Sequence, residues 1–465
     1  MCVAFFTLEH PDYALSILCS NRDEYLTRPT EFAHFHSFEA QGHLHDGISQ
    51  DQQLARQHPT QHPQDRDAVV LSGIDVQAGG TWLGLARTGK LALLTNITED
   101  TTLKFPLSRG HLVTSFLTTP PSFLTDKHPD PTEVEQYLRG LVGPSDSEDG
   151  GGVIYAGFNL LLLIPRVTQS STMPSPRDAD SDHPAEMHAT LTDTPTKSVL
   201  TYDAYLATNH GAGGKISCRL LSHAEREYGG MSNGSDGYGG KDWAKVKKGL
   251  EILRTVLNVA EESNMDRVHD REGGERNVRY GKAPDHSEDK IIEELFELLT
   301  WKPPTPPTSR AELCNTIQVD PILLRVSSSN IGAGAATSIG GAKKTGAACT
   351  ADIAEHTFAT SSSTNGKNEP TEQQQPLQRL FATRLATVIL VKRTGEVVFV
   401  ERDRWVLPDE VESNAERKRL QGGGGGGGEW SGDNRSRQGE ERKPVLASTS
   451  SQLATQRVYR FKLDV

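Results

Sequence analysis

Three short stretches carry residues that could do chemistry. The chain opens MCVAFFTLEH. Loss of Met1 would leave Cys2 with a thiol and a free α-amine on one residue. An amine of pKa about 7.7–8.0 can take the proton of a thiol of pKa about 8.5, so nucleophile and base would coincide. The competing reading is a small buried hydrophobe, the usual fate of a cysteine. SNRDEY, Ser20 to Tyr25, follows directly on the apolar run YALSILCS. A solvated turn is one reading, since Asn and Asp favour turns. The other brings Arg22 and Asp23 beside Cys2 if the two apolar runs pair. Arg22 would then favour the thiolate, and Asp23 would accept hydrogen bonds from the α-ammonium. Asn96, closing LLTN, and Asn233, in GMSNGS, carry amides that could donate to an oxyanion. Alone, each reads first as a turn residue.

The elements that would position them follow from pattern. VAFFTL and YALSILCS flank the turn EHPD and predict a β-hairpin. WLGLA and LALLTN predict strands around the tight turn RTGK, and GGTWLG (Gly79 to Gly84) places glycines where the backbone must approach something closely. IYAGFNLLLLIP, VLTYDAYLATN and the closing VYRFKL predict further strands. LATVILVKRTGEVVFVERDRW is the clearest hairpin, with β-branched strands around Thr-Gly. SRGHLVTSFLTT predicts a helix with Ser108 as N-cap, and PTEVEQYLRGLV a second, capped near Thr132. In DWAKVKKGLEILRTVLNVA, Trp243, Val246, Leu250, Leu253 and Leu257 share one helical face. KIIEELFELLTW predicts an amphipathic helix ended by KPPTPPT. Strand-rich ends around central helices predict an α+β class with layered sheets and helices.

The totals bound the rest. Of 465 residues only 35% are hydrophobic, with 43 Gly and 25 Pro, which points to one domain padded by disordered insertions. We read 1–465 as a single domain with insertions at 37–66, 166–197, 260–285, 327–376 and 411–452. The seven glycines at 422–428 lack a phosphate-loop pattern. A net charge of −12 argues against a nucleic-acid partner. Five scattered cysteines (Cys2, Cys19, Cys218, Cys314, Cys349) suggest neither a zinc site nor a disulfide framework, and a reducing, cytoplasmic compartment is the simplest expectation. His34, His36, His43 and His45 cluster without a fixed partner ligand, so no metal site is expected. No signal peptide or stretch of 18 apolar residues is seen, leaving at most peripheral membrane contact.

MC at the start, SNRDEYLTRPT, GGTWLG, LLTN, SRGHLV, YAGFNLL, Ser-Asn before DWAKVKKGL, and TRLATVILV with GEVVFVER occur in this order. The set resembles the NRDE family, also called the transport and Golgi organisation protein 2 family. The resemblance implies a four-layer αββα sandwich like that of N-terminal-nucleophile hydrolases. It implies Cys2 as nucleophile with its α-amine as base, Arg22 and Asp23 as orienting groups, Asn96 and Asn233 at the oxyanion positions, and Arg384 lining the pocket. The link GSDGYGGKDW is longer than the family's usual one, which puts the placement of Asn233 in question.

The family is associated with Golgi organisation and protein secretion, mitochondria, lipid homeostasis and haem trafficking. Two function classes are therefore expected. One is an amidohydrolase acting on a small or lipid-like amide, with no cofactor. The other is a non-enzymatic carrier of haem or an acyl lipid, with haem as cargo rather than cofactor. A third reading, an acyl chain on Cys2 holding the protein on Golgi membranes, ranks last, since one chain binds membranes only marginally. The resemblance leaves the location open between cytoplasm, Golgi surface and mitochondrion.

Overall fold

The computed structural model describes residues 2–38, 69–99, 105, 107–118, 128–141, 155–170, 197–212, 214–269, 286–325, 378–407, 444–447 and 456–465. Its strands are β1 (Val3–Thr7), β2 (Tyr13–Tyr25), β3 (Thr30–His36), β4 (Val70–Asp75), β5 (Leu83–Ala86), β6 (Leu91–Asn96), β7 (Phe158–Ser170), β8 (Lys197–Thr208), β9 (Ser217–Leu220), β10 (Gly229–Met231), β11 (Ile322–Arg325), β12 (Gln378–Lys392), β13 (Glu396–Asp403), β14 (Trp405–Val406), β15 (Val445–Leu446) and β16 (Gln456–Lys462). Its α-helices are α1 (Gly110–Thr118), α2 (Pro131–Gly140), α3 (His223–Glu227), α4 (Ala244–His269) and α5 (His286–Leu298).

The strands form two seven-stranded sheets and one small ribbon. The first sheet runs β10-β1-β2-β12-β13-β16, with β11 on β12, and the second runs β3 to β9 in chain order. The pairings within both are antiparallel. The expected hairpins form: β1 meets β2 with Val3 opposite Asn21, and β12 meets β13 with Val388 opposite Val400. The α+β class is thus observed.

Strand alternation sends side chains to both faces of each sheet, and three cores result. From the first sheet, Ala4, Phe6, Leu18 and Ile389 meet Leu71, Leu85, Leu161 and Leu163 of the second. The opposite face of the first sheet (Val3, Phe5, Ile17, Val388) packs on Leu253 and Leu257 of α4 and Leu295 and Phe296 of α5. The opposite face of the second (Ala92, Leu94, Leu160, Leu162) packs on Leu112 and Phe116 of α1 and Val134 and Leu138 of α2. Each such large side chain contributes roughly 1.5–3 kcal/mol on burial. Helix α4 comes close to β1 at Gly249, where a Cβ would sit 2.0 Å from the Phe5 ring.

Several boundaries differ from expectation. Helix α2 is capped by Asp130, not Thr132: the Thr132 amide donates to Asp130 Oδ1 at 2.8 Å, while Glu133 returns to accept the Asp130 amide at 2.9 Å. The signal is the Asp-Pro step, with Pro131 at the first helical position. Helix α4 continues to His269, since no Gly or Pro stops it before Gly273. Strand β7 continues through Ser170, paired with Lys197, so the expected insertion at 166–197 begins later. Val445–Leu446 pair with Trp405–Val406, inside the span read as linker. Ser108 Oγ accepts the Gly110 amide at the start of α1. Most of the expected insertions, including 39–66, 327–376 and 422–428, lie outside the described residues.

Candidate active site

Cys2 immediately precedes β1, which is a neighbour to both β2 and β10: Ala4 lies opposite Ser20 on one side and Met231 on the other. The next rungs therefore bring Cys2 between Arg22–Asp23 and Ser232–Asn233. Ser232 Oγ donates to the Cys2 carbonyl at 2.8 Å, and the Asp23 backbone amide acts to lower the Cys2 thiol pKa. Cys2 is partly exposed, whereas Cys19 is fully buried in the helix-facing core. Burial pushes the Cys2 thiol up, and Arg22 works against that shift.

SNRDEY is no solvated turn. Ser20 to Asp23 are buried within β2, because β12 pairs along its far side, Thr383 opposite Asp23 and Ala386 opposite Asn21. Paired backbone on both sides keeps the strand extended where the local sequence favours a turn. Asn21 anchors the stretch by donating to the carbonyls of Leu299 and Ile317 at 2.9 and 3.0 Å. Asp23 is held by Thr383, whose hydroxyl donates to its Oδ1 at 2.6 Å and itself accepts the Val319 amide at 2.8 Å. Burial raises the Asp23 carboxyl, opposed by Lys245 among others. Lys245, in the first turn of α4, is fully buried, with its Nζ 5.6 Å from the Trp243 ring centre.

The Arg22 guanidinium lies 4.1 Å from the Trp82 ring centre and donates to Thr30 Oγ1 at 3.0 Å. GGTWLG delivers that tryptophan. Gly79 and Gly80 have φ of 68° and 79°, and a Cβ on Gly80 would meet the Gly110 backbone at 2.8 Å, so both the turn and the approach of α1 require glycine. Arg384 occupies a bulge between Thr383 and Leu385. It donates to the Arg28 carbonyl and, at 3.4 Å, to the same Thr30 hydroxyl, which places it beside Arg22. Arg109, just before α1, donates to the Gly157 carbonyl at 2.9 Å and lies within electrostatic reach of Cys2.

The two asparagines meet from different sheets. Asn233 Nδ2 donates to the backbone carbonyl of Asn96 at 2.5 Å, and the Thr98 amide donates to the Asn233 carbonyl at 2.9 Å. Thr95 Oγ1 donates to the Ser232 carbonyl at 2.7 Å. Asn159 Nδ2 donates to the Ser232 and Gly234 carbonyls at 3.1 and 2.8 Å. The long link follows Asn233 and turns at Gly237 and Gly239, with φ of 77° and 80°, so its length leaves Asn233 next to Cys2. A carboxamide has two N–H groups. Asn233 commits one to Asn96, while Asn96 takes part through its carbonyl.

The structure thus gathers Cys2, Arg22, Asp23, Asn96, Asn233 and Arg384 at one end of the two sheets. Ser232, Asn159, Thr383, Arg109 and Lys245 join them without having been singled out. Arg109 and Asn159 sit within SRGHLV and YAGFNLL. Lys245 gave no signal, because lysines in AKVKK read as solvated helix residues. His34 and His36 stack at 4.8 Å between ring centres; His43 and His45 lie outside the described residues. Among the described residues no group of three or more His, Cys, Asp or Glu converges, and no helix is long and apolar enough to cross a membrane.

Comparison with known proteins adds to this geometry. The family model "Transport and Golgi organisation 2" matches residues 1–50 and 48–405. The chain is similar to the human Transport and Golgi organization protein 2 homolog, 29% identical over 168 residues, 35% of this chain and 44% of that protein. It is similar to the mouse Transport and Golgi organization 2 homolog, 27% identical with the same coverage. It is also similar to an uncharacterized protein of Saccharomyces cerevisiae, 32% identical over 117 residues, 25% of this chain and 30% of that protein. The matched segments thus span less than half the length of these relatives.

Proposed function

Because the chain belongs to the Transport and Golgi organisation 2 family, we propose that it serves Golgi organisation and protein secretion, and that Cys2 is the nucleophile of an amidohydrolase pocket acting on a small or lipid-like amide. The packing order of helices, sheet, sheet and helices supports reading the fold as a sandwich of the N-terminal-nucleophile hydrolase kind, built as one domain of 1–465 carrying the insertions. The names of the relatives support a Golgi-related role at family level. The observation that carries the chemistry is the position of Cys2 between the Arg22–Asp23 pair and Asn233.

In this reading, removal of Met1 frees the α-amine of Cys2. The amine takes the thiol proton as Sγ attacks the amide carbon, and a C–S bond forms while the carbonyl π electrons move to oxygen. The second N–H of Asn233 and the Asn96 amide donate to that oxyanion. The α-ammonium gives its proton to the leaving nitrogen, the C–N bond breaks and a thioester remains. Water then attacks, its proton passing to the α-amine, and the C–S bond breaks to return the thiol. Asp23, held by Thr383 and facing Lys245, orients the ammonium, while Arg22 favours the thiolate.

The second reading, a carrier of haem or an acyl lipid, draws on two details. Burial keeps the thiol protonated, and one N–H of Asn233 is already spent on Asn96. Cys2 would then serve as a soft ligand to the cargo or go unused. The deciding experiment is the intact mass of protein from its own host, with substoichiometric iodoacetamide labelling. Loss of Met1 with single labelling of Cys2 supports the hydrolase. Retained Met1 ties up the Cys2 nitrogen in a peptide bond, so Cys2 has no amine of its own as base, and favours the carrier; a mass gain of one acyl chain favours a membrane-anchored N-terminus.

A further inference from the structure

Arginines and carboxylates crowd the surroundings of Cys2: Asp23, Glu24, Asp75 and Glu99 act there beside four guanidinium groups. Arg22, Arg28, Arg109 and Arg384 lie within electrostatic reach of one another there, in the pairs Arg22–Arg384 and Arg28–Arg109. Arg28 has its own carboxylates, Asp75 at 2.8 Å and Glu24 at 3.7 Å. The Glu99 carboxylate is taken by the backbone amides of Gly157 and Ala212. Arg22 is different: it is only 5% exposed, and among the described residues it contacts the Thr30 hydroxyl and the Trp82 face. Arg109 donates to a neutral carbonyl. Neither has a carboxylate at ion-pair distance among the described residues. Glu24 and Asp75 act on Arg22, and Glu99 and Glu24 on Arg109, only from beyond contact distance; a buried guanidinium with no carboxylate in contact is costly, and Arg is rarely buried unless paired. Stacking on Trp82 fixes the plane of Arg22 and leaves guanidinium edges for a planar, two-pronged acceptor.

We infer that Arg22, Arg109 and Arg384 form an anion-binding subsite beside Cys2, which takes the carboxylate of an acylated small molecule. The substrate or cargo class is then an acyl compound with an anionic head group, such as an N-acyl amino acid, not a neutral amide. The position of the scissile bond rests on Cys2 being the nucleophile; recognition of the anion does not.

The test uses the full chain carrying Cys2→Ala, which cannot turn over, in calorimetric titrations with N-octanoylglycine, its neutral counterpart N-octanoylethanolamine, and octyl phosphate. N-octanoylglycine is expected to bind at least about tenfold more tightly than the neutral ligand, and added salt should weaken only the anionic ligands. Arg109→Gln should abolish the preference. Arg109→Lys, which keeps the charge but loses the fork, should retain only part of it and guards against a folding defect in the first variant. Equal binding of the charged and neutral ligands, no binding of N-octanoylglycine, or an unchanged preference in both variants overturns the subsite. Tighter binding of octyl phosphate than of N-octanoylglycine overturns the assignment to carboxylates. Unmodified protein that hydrolyses none of these compounds, while the Cys2→Ala chain keeps its preference, would sink the hydrolase reading and leave the subsite standing.

Discussion

Asn233 donates its side-chain amide to the backbone carbonyl of Asn96 at 2.5 Å, tying the edge of one sheet to the end of a strand in the other beside Cys2. Asn233 is buried. Asn233→Ala should therefore cost about 1–3 kcal/mol of stability by leaving that carbonyl unpaired. If Asn233 also stabilises an oxyanion, turnover should fall by about 10²–10³. Urea denaturation and steady-state kinetics on one preparation separate the two effects. A stability loss with unchanged turnover would confine Asn233 to a structural role.

Lys245 and Asp23 should be energetically coupled. Lys245→Met removes one of the groups that offset burial of the Asp23 carboxylate, with the N-terminal ammonium and Thr383 remaining, and should destabilise the fold at neutral pH by about 1–3 kcal/mol. Asp23→Asn in the same chain should recover much of that loss. A double-mutant cycle by chemical denaturation reads the coupling; additive losses would show that the two groups do not interact.

The Cys2 thiol should titrate high while Met1 is retained, since burial raises it more than the N-terminal ammonium, the Asp23 amide and Arg22 lower it. Alkylation of that form should be slow at neutral pH and reach its midpoint above the ordinary thiol value of about 8.5. Arg22→Gln should move the midpoint further up. A midpoint that stays put in the variant would show that Arg22 does not act on the thiol.

The Arg219–Glu225–Lys241 cluster makes stability acid-sensitive. Burial works to raise the Glu225 carboxyl, but bonds from Arg219 and Lys241 prevail and hold it below the usual carboxylate range. The folded pKa is thus the lower one. The contribution is complete above the unfolded value of about 4.3 and drains away as pH falls below it. Glu225→Gln should cost about 1–3 kcal/mol at neutral pH and progressively less as acid protonates the carboxyl in the parent chain. The gap between thermal unfolding curves of parent and variant should begin to narrow as pH falls below about 4.3, where the unfolded carboxyl takes up its proton before the native one does; a constant gap would contradict the ion-pair account.

Much of the fold was legible in the residues. Apolar runs interrupted by EHPD, RTGK and KRTGE mark hairpins because side-chain alternation and turn chemistry are local properties. The apolar stripe of α4 from Val246 to Leu257 follows from helical period alone. Boundaries were less legible where pairing overrides local preference. Arg166 to Ser170 read as the start of an insertion, yet they extend β7 because Lys197 to Thr201 offer a partner strand. Asp130 displaced Thr132 as the cap because Pro131 suits the first helical position.

The same division runs through the site. Sequence alone determined the reactive inventory: a cysteine next to the initiator Met, Arg22 and Asp23 adjacent in the chain, asparagines at Asn96 and Asn233, and glycines that permit the turn before Trp82. Tertiary structure alone decided that SNRDEY is buried strand rather than turn, since β12 supplies the backbone partners of β2. It also decided that Lys245 faces Asp23 from a distant helix, that Arg384 joins Arg22 on one threonine hydroxyl, and that Asn233 spends an N–H on Asn96. These relationships link residues more than a hundred positions apart. Only sheet order and helix packing, which depend on the whole chain, set them.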